Sequence, residues 1–199
     1  MTGYGGEVAG LARPRRGHFD LGTGYHGDLW LDLDALFLRP ALVRPHARWL
    51  AGRLGDHGID AVCGPLAGGA FLAQTVADLM DVAFLPACPA PAAGPNAAPA
   101  YRLARTARDL VAGWRVAIVD DAVNAGTATR ACFRHLRDLG AVPVAVGALL
   151  ALGGAEAMVE ATMSVPFYKV ATAASQVWPA GECQLCADGA PLTNPSSDG

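Results

Sequence analysis

Two adjacent carboxylates, Asp120 and Asp121, follow the apolar run Val116–Val119 and precede a string of small residues, Asn124-Ala125-Gly126-Thr127-Ala128-Thr129. An apolar, β-branched run of this length reads as a short buried strand, parallel and covered on both faces, with the two acids at its end. The residues from Ala128 to Leu136 suit a helix. A strand, a tight small-residue loop and a helix N-terminus form an anion site, because unpaired backbone N–H groups and the positive end of the helix dipole point into the loop. A bare phosphate cradle has no use for two acids beside it. Carboxylates there fit a ligand that also presents hydroxyls, or a hydrated Mg²⁺ that bridges the two. The plainer alternative is an ordinary strand-to-helix turn, with Thr127 as the helix cap and two loop acids.

A second loop can present backbone donors in the same way. Gly64-Pro65-Leu66-Ala67-Gly68-Gly69 follows the short apolar segment Ile59–Cys63 and precedes a helix-compatible stretch, Ala70–Met80. Its glycines permit close backbone approach. Neither the Gly-x-x-x-x-Gly-Lys-Ser/Thr nor the Gly-x-Gly-x-x-Gly nucleotide motif is met at the acidic stretch. A ribose 5-phosphate bearing a pyrophosphate would satisfy both demands of the acidic stretch, an anion for the loop and hydroxyls or a bridging metal for the carboxylates.

These residues carry a resemblance. The stretch Val119-Asp120-Asp121-Ala122-Val123-Asn124-Ala125-Gly126-Thr127-Ala128 is similar to the motif with which type I phosphoribosyltransferases bind 5-phosphoribosyl pyrophosphate (PRPP). The Gly-Pro-x-x-Gly-Gly string at 64–69 resembles the pyrophosphate loop of the orotate phosphoribosyltransferases. Gly17-His18-Phe19-x-Leu21-x-x-Gly24-x-His26-x-Asp28 is similar to their base-side hood, and a Cys-x-x-Cys-x-x-Gly-x-Pro-Leu tail is shared with some members. The resemblance runs from about Gly17 to Leu192.

The resemblance implies a single α/β domain over residues 1–199. Its central parallel sheet, flanked by helices, would occupy about 40–170, and a small hood would come from about 17–36 and 176–192. It implies Mg²⁺ as cofactor, PRPP and a base (orotate first) as substrates, and a homodimer. Asp120 and Asp121 would hold the ribose hydroxyls, directly or through the metal's waters. Asn124, Ala125, Gly126, Thr127, Ala128 and Thr129 would take the 5-phosphate, and Pro65, Leu66, Ala67, Gly68 and Gly69 the pyrophosphate. Arg130 would face the base, its guanidinium offering paired donors to a planar anion, with His26 and Asp28 alongside. In the family a Lys- and His-rich loop closes over the pyrophosphate, usually on the neighbouring subunit. The corresponding region, Pro86–Arg108, has neither residue type and offers Tyr101, Arg102, Arg105 and Arg108. Arg102 and Arg105 are therefore the closing groups expected here, able to neutralise pyrophosphate but not to donate a proton at neutral pH. A non-catalytic PRPP sensor, or a transferase for another base, is the alternative reading.

Composition sets the outer bounds. The chain of 199 residues is 52% hydrophobic and 17% charged, enough apolar content for a substantial core. A net charge of -3, with Lys169 the only lysine, gives no electrostatic reason to expect a nucleic-acid partner. The N-terminal stretch lacks the apolar segment of a signal peptide, and the longest apolar run, Val142–Leu152, is too short to span a bilayer and contains Gly147. No membrane association is expected, and a cytoplasmic protein with five reduced cysteines is. Cys183-x-x-Cys186 reads as two reduced thiols, since Cys63, Cys88 and Cys132 lie at no spacing that completes a zinc site; a zinc shared across a dimer is the alternative.

The remaining elements follow from pattern. Residues 1–16 show no periodicity. Gly17–Asp34 suggests a hairpin about Gly22-Thr23-Gly24. Pro40–Leu54 reads as a helix with Leu42, Trp49, Leu50 and Leu54 on its inner face. Val82–Leu85 is expected as a strand, Pro86–Pro99 as an extended, mobile loop, and Tyr101–Leu110 as a short helix. Beyond the acidic motif its helix should end at Gly140. A strand over Val142–Leu152, a helix over Ala155–Met163 and an extended segment over Val165–Val170 complete an alternating α/β pattern. Ligands should then sit at the carboxyl ends of the strands, where both glycine loops are.

Overall fold

The computed structural model describes residues 4–22, 24–66, 68–91 and 99–195. In chain order the elements are α1 (Tyr4–Leu11), β1 (Arg15–Asp20), β2 (Tyr25–Trp30), α2 (Asp34–Phe37), α3 (Pro40–Leu54), β3 (Ala61–Pro65), α4 (Gly68–Met80), β4 (Ala83–Ala90) and β5 (Ala100–Leu103). They continue with α5 (Arg105–Arg108), β6 (Arg115–Val123), α6 (Thr127–Asp138), β7 (Val142–Leu152), α7 (Ala155–Met163), β8 (Phe167–Ala173), β9 (Val177–Pro179) and α8 (Gln184–Ala187).

Six strands form the central sheet in the order β5-β4-β3-β6-β7-β8. All neighbouring pairs are parallel except β4 with β5. Two-residue alternation along β6 divides its side chains between the faces. Ala117 and Val119 pack with Leu50, Leu72 and Leu149 on the side of α1, α3 and α4. Val116 and Ile118 pack with Phe133, Leu136 and Val159 on the side of α6 and α7. Burial on both faces is why these strands read as unbroken apolar runs. Leu50 and Leu149 are fully buried, and truncation of such a leucine costs about 2–5 kcal/mol.

A smaller sheet, in the order β1-β2-β9, is antiparallel throughout and joins the N-terminal hairpin to the tail. The chain then passes back along β1, where Thr193 donates its N–H to the His18 carbonyl at 2.8 Å and accepts from Asp20 N–H at 2.9 Å. This is the hood expected from the N- and C-terminal segments.

Four expectations need correction. The unpatterned N-terminus contains α1, whose Val8, followed by Ala12 just beyond its end, is fully buried, and which packs on β8 and α3. Four glycines in the first ten residues lower helix propensity and hide the pattern, and tertiary packing overrides them. On α3 the buried stripe is Val43, His46, Ala47, Leu50, Ala51 and Leu54, while Leu42 stays 41% exposed. Small residues at 47 and 51 let that face approach the sheet closely, leaving the stripe with Leu42 turned outward.

The Pro-rich segment is a loop only in part. β4 runs on through Pro86 and Pro89 to Ala90 and pairs with β5, where a helix was expected around Tyr101; only the single turn α5 is helical. Beyond Ala87 the strand has only β5 beside it, an edge setting that tolerates proline. The expected mobility of residues 92–98 lies outside the described residues. Finally, the acids do not terminate their strand: β6 continues to Val123, with Asp120 opposite Ala148 of β7.

Candidate active site

The acidic pair owes its position to a parting of two strands. β3 and β6 pair only from Ala61–Val116 to Cys63–Ile118, so beyond Ile118 the β3 side of β6 is open. Sheet order reverses at this point: β4 and β5 lie on one side, β7 and β8 on the other. Such a switch point makes a crevice at the carboxyl ends of the strands. Asp120 and Asp121 stand in it, 7% and 8% exposed.

Hydrogen bonds fix both carboxylates. Asp120 accepts from its neighbour's backbone N–H at 3.0 Å and from the Thr129 hydroxyl at 3.2 Å. Asp121 accepts from Ala122 N–H at 2.7 Å. Burial, reinforced by the adjacent Asp121 charge, holds Asp120 well above the usual carboxylate range. Burial also raises Asp121, against the opposing pull of the Ala122 N–H. Bare, the pair is electrostatically uncomfortable; it would gain from hydroxyl donors or a cation.

Two helix N-termini converge on it. Gly68 and Gly69 open α4 so close to the pair that an added Cβ at Gly68 would run into the Asp121 carboxylate, and one at Gly69 into that of Asp120. Only glycine fits there. Gly126, at φ 65° and ψ 28°, caps α6, so the cap is this glycine and not the Thr127 side chain. A Cβ on Gly126 would also strike Met158. The left-handed turn aims the first N–H groups of α6, from Thr127, Ala128 and Thr129, at the space before the helix.

That space is a cleft of about 300 Å³. It is lined by Asp120, Ala122, Asn124, Ala125, Gly126, Thr127, Ala128, Thr129 and Arg130, and closed from the hood by Leu21, Tyr25 and Val177. Arg130 makes no ion pair among the described residues, so its guanidinium is available to a ligand. Tyr101 also looks toward the acids: burial, then the Asp120 charge, pushes its phenol up.

Other residues singled out from the sequence lie elsewhere. Pro65 ends β3 beside the acids, but Leu66 gives its N–H to the Ala87 carbonyl at 2.9 Å and so has none left for an anion. Ala67 lies outside the described residues. The Thr129 hydroxyl is turned to Asp120, which leaves Thr127 as the hydroxyl facing the loop. His26 is not in the cleft lining; its Nδ1 lies 3.3 Å from Cys186 Sγ and 3.2 Å from His18 Nε2. Asp28 braces the hood, paired with Arg16 at 3.0 Å and accepting from Gln176 N–H at 2.8 Å. Arg102 and Arg105 are exposed, on β5 and α5, and neither lines this cleft. Arg108 donates to the Leu103 carbonyl at 2.7 Å. Leu21 belongs to the hood motif read from the sequence, but sequence reasoning missed Tyr25 and Val177, whose apolar bodies carry no chemical signature and meet the cleft only through the hood sheet.

A mostly parallel six-stranded sheet flanked by helices, its order reversing at the crevice, is the type I phosphoribosyltransferase fold. The adenine phosphoribosyltransferase of Trypanosoma brucei superimposes with a TM-score of 0.64 at 16% identity, over 84% of this chain and 78% of that one. Within this class the likeness is to orotate phosphoribosyltransferases, as the motifs suggested. The orotate phosphoribosyltransferase of Caldanaerobacter subterraneus subsp. tengcongensis is 29% identical over 182 residues, covering 92% of this chain and 90% of the relative. The UMP synthase of Leishmania donovani is 26% identical with a TM-score of 0.62, over 83% of this chain and 36% of that protein. No family model matches the chain. None of the helices among the described residues is long and apolar enough to cross a membrane.

Proposed function

We propose that this chain transfers the 5-phosphoribosyl group of PRPP to a nitrogenous base, with orotate as the base, yielding orotidine 5′-phosphate and pyrophosphate. The observation that carries the reading is the buried Asp120–Asp121 pair set between the N-termini of α4 and α6. Each helix start suits one phosphate group of PRPP, and the acids suit the ribose hydroxyls between them. The relatives named above support the same reading.

The 5-phosphate sits on the N–H groups of residues 127–129 and the Thr127 hydroxyl. Pyrophosphate lies toward Gly68 and Gly69. During transfer a bond forms between the base nitrogen and the ribose anomeric carbon as the bond to the pyrophosphate oxygen breaks. The sugar carries positive charge at that moment, which the neighbouring carboxylates favour. Arg130 holds the planar anionic base by paired N–H donors, and Leu21, Tyr25 and Val177 exclude water above it.

The donor set fits a hard divalent cation: two carboxylates, held in an environment that resists their ionisation while they stand bare. Asp120 and Asp121 would hold Mg²⁺ through its water shell, and the ion, when bound, supplies positive charge to the pyrophosphate oxygens.

Arg102 and Arg105, exposed and outside their own cleft, favour a homodimer in which each subunit lends them to its neighbour. The test is loss of orotate ultraviolet absorbance with PRPP and Mg²⁺, against a control without metal. Metal-dependent loss is expected. PRPP binding without loss would instead mark a sensor or a transferase for another base.

A further inference from the structure

Outside the cleft, four side chains with metal-binding chemistry converge in the hood. His18 from β1, His26 from β2, Cys183 just before α8 and Cys186 within it place one ligand atom each within 4.8 Å of all the others. His18 Nε2 lies 3.2 Å from His26 Nδ1, 3.3 Å from Cys183 Sγ and 3.7 Å from Cys186 Sγ. Cys186 Sγ lies 3.3 Å from His26 Nδ1. His18 and Cys183 are buried, His26 is 9% exposed, and Cys186 reaches the surface.

We propose that these four residues bind one structural zinc ion per chain, clamping the N-terminal hairpin to the C-terminal segment. The spacing carries the assignment. A tetrahedral centre with ordinary zinc–nitrogen and zinc–sulfur bond lengths separates two nitrogens by about 3.4 Å, and a nitrogen from a sulfur by about 3.6 Å. The four separations in the hood scatter closely around these values.

The protonation pattern agrees. His18 Nδ1 lies 2.9 Å from the Ala190 carbonyl oxygen, so it carries the proton and donates it. Nε2 is then a bare lone pair directed at the cluster, the arrangement that orients histidine ligands in metal sites. The two cysteines, spaced Cys-x-x-Cys at a helix start, supply thiolates on binding and release their protons to solvent. Two histidines and two thiolates fill a tetrahedral shell with no open position, which makes the site structural and not catalytic. Soft sulfur ligands also separate it from the carboxylate cleft, whose oxygens suit a hard cation.

The proposal does not depend on the transferase reading. Its test is the zinc content of the full chain, purified under reducing conditions without chelator, followed by Co²⁺ titration of the stripped protein. One zinc per chain is expected, with the visible bands of tetrahedral Co²⁺ and thiolate charge transfer in the near ultraviolet. Cys186→Ser, at the surface and so least disruptive to folding, should lower zinc affinity more than tenfold. Cys88→Ser, an exposed thiol elsewhere, should leave it unchanged. Absence of zinc together with absence of thiolate–cobalt bands would overturn the proposal. So would one zinc per two chains, or zinc retained by the Cys186 variant and lost from the Cys88 variant.

Discussion

The cleft and the hood cluster each gather charged or ligating groups into a small volume, but they are assembled in opposite ways. The acids, the small-residue loop after them, its capping Gly126 and Arg130 all come from one stretch of strand, turn and helix, Arg115–Asp138. The hood cluster joins residues 165 positions apart, His18 and Cys183. Local backbone geometry positions the first site. The second exists only once β1, β2 and β9 have paired and the tail has folded back along β1. Hard oxygen and backbone donors therefore sit on the rigid sheet, and soft ligands tie down the part of the molecule that covers it.

If the two regions are independent, substitutions should separate their effects. Arg130→Ala should lower kcat/KM for orotate about a hundredfold, the loss of a charge-assisted pair, while zinc content stays the same. Parallel changes in both would show that the hood depends on the cleft. In the hood, zinc at about a hundred times its dissociation constant should stabilise the native chain by about 2.7 kcal/mol. Cys186→Ser should cut that zinc-dependent rise in Tm by about half or more while PRPP still binds.

Backbone geometry at the cleft gives a smaller effect. Gly126→Ala places a side chain at φ 65° against Met158, costing about 1–2 kcal/mol for the backbone alone. Thermal unfolding should show a fall of about 2–8 °C for a chain of this size. Smallest, and opposite in sign, is Asp120→Asn. A carboxyl whose pKa is raised by folding stabilises the fold below the unfolded carboxyl range and loses that contribution as pH rises through the folded value. Above the unfolded carboxyl range the raised folded pKa weighs against the ligand-free fold. The asparagine variant should therefore melt higher than wild type at neutral pH, with the advantage shrinking as pH falls. A lower Tm at neutral pH would show that the pair is not under electrostatic strain.

The same contrast explains what could be read from the chain alone. The strand Val142–Leu152 and the helix Ala155–Met163 have the boundaries their patterns suggested, because period and turn residues are local signals. The acidic loop was legible for the same reason. The motif around His26 points to the base side, because nothing within a few residues reveals that its partners are His18 and Cys186. The Cys-x-x-Cys pair has no second half among the cysteines; two histidines flanking a hairpin turn are the signal that completes it. Val8 in α1 and the pairing of Pro86–Ala90 with Ala100–Leu103 were hidden because glycine and proline propensities give way there to tertiary contacts.

The claim that Asp121 and the start of α6 form a PRPP site is tested most directly by calorimetric titration of PRPP, with Mg²⁺, into wild type, Asp121→Asn and Thr127→Ala. Binding to the wild type, weakened at least tenfold in both variants without a change in fold, is the predicted result. Equal affinity in all three would contradict the site described here.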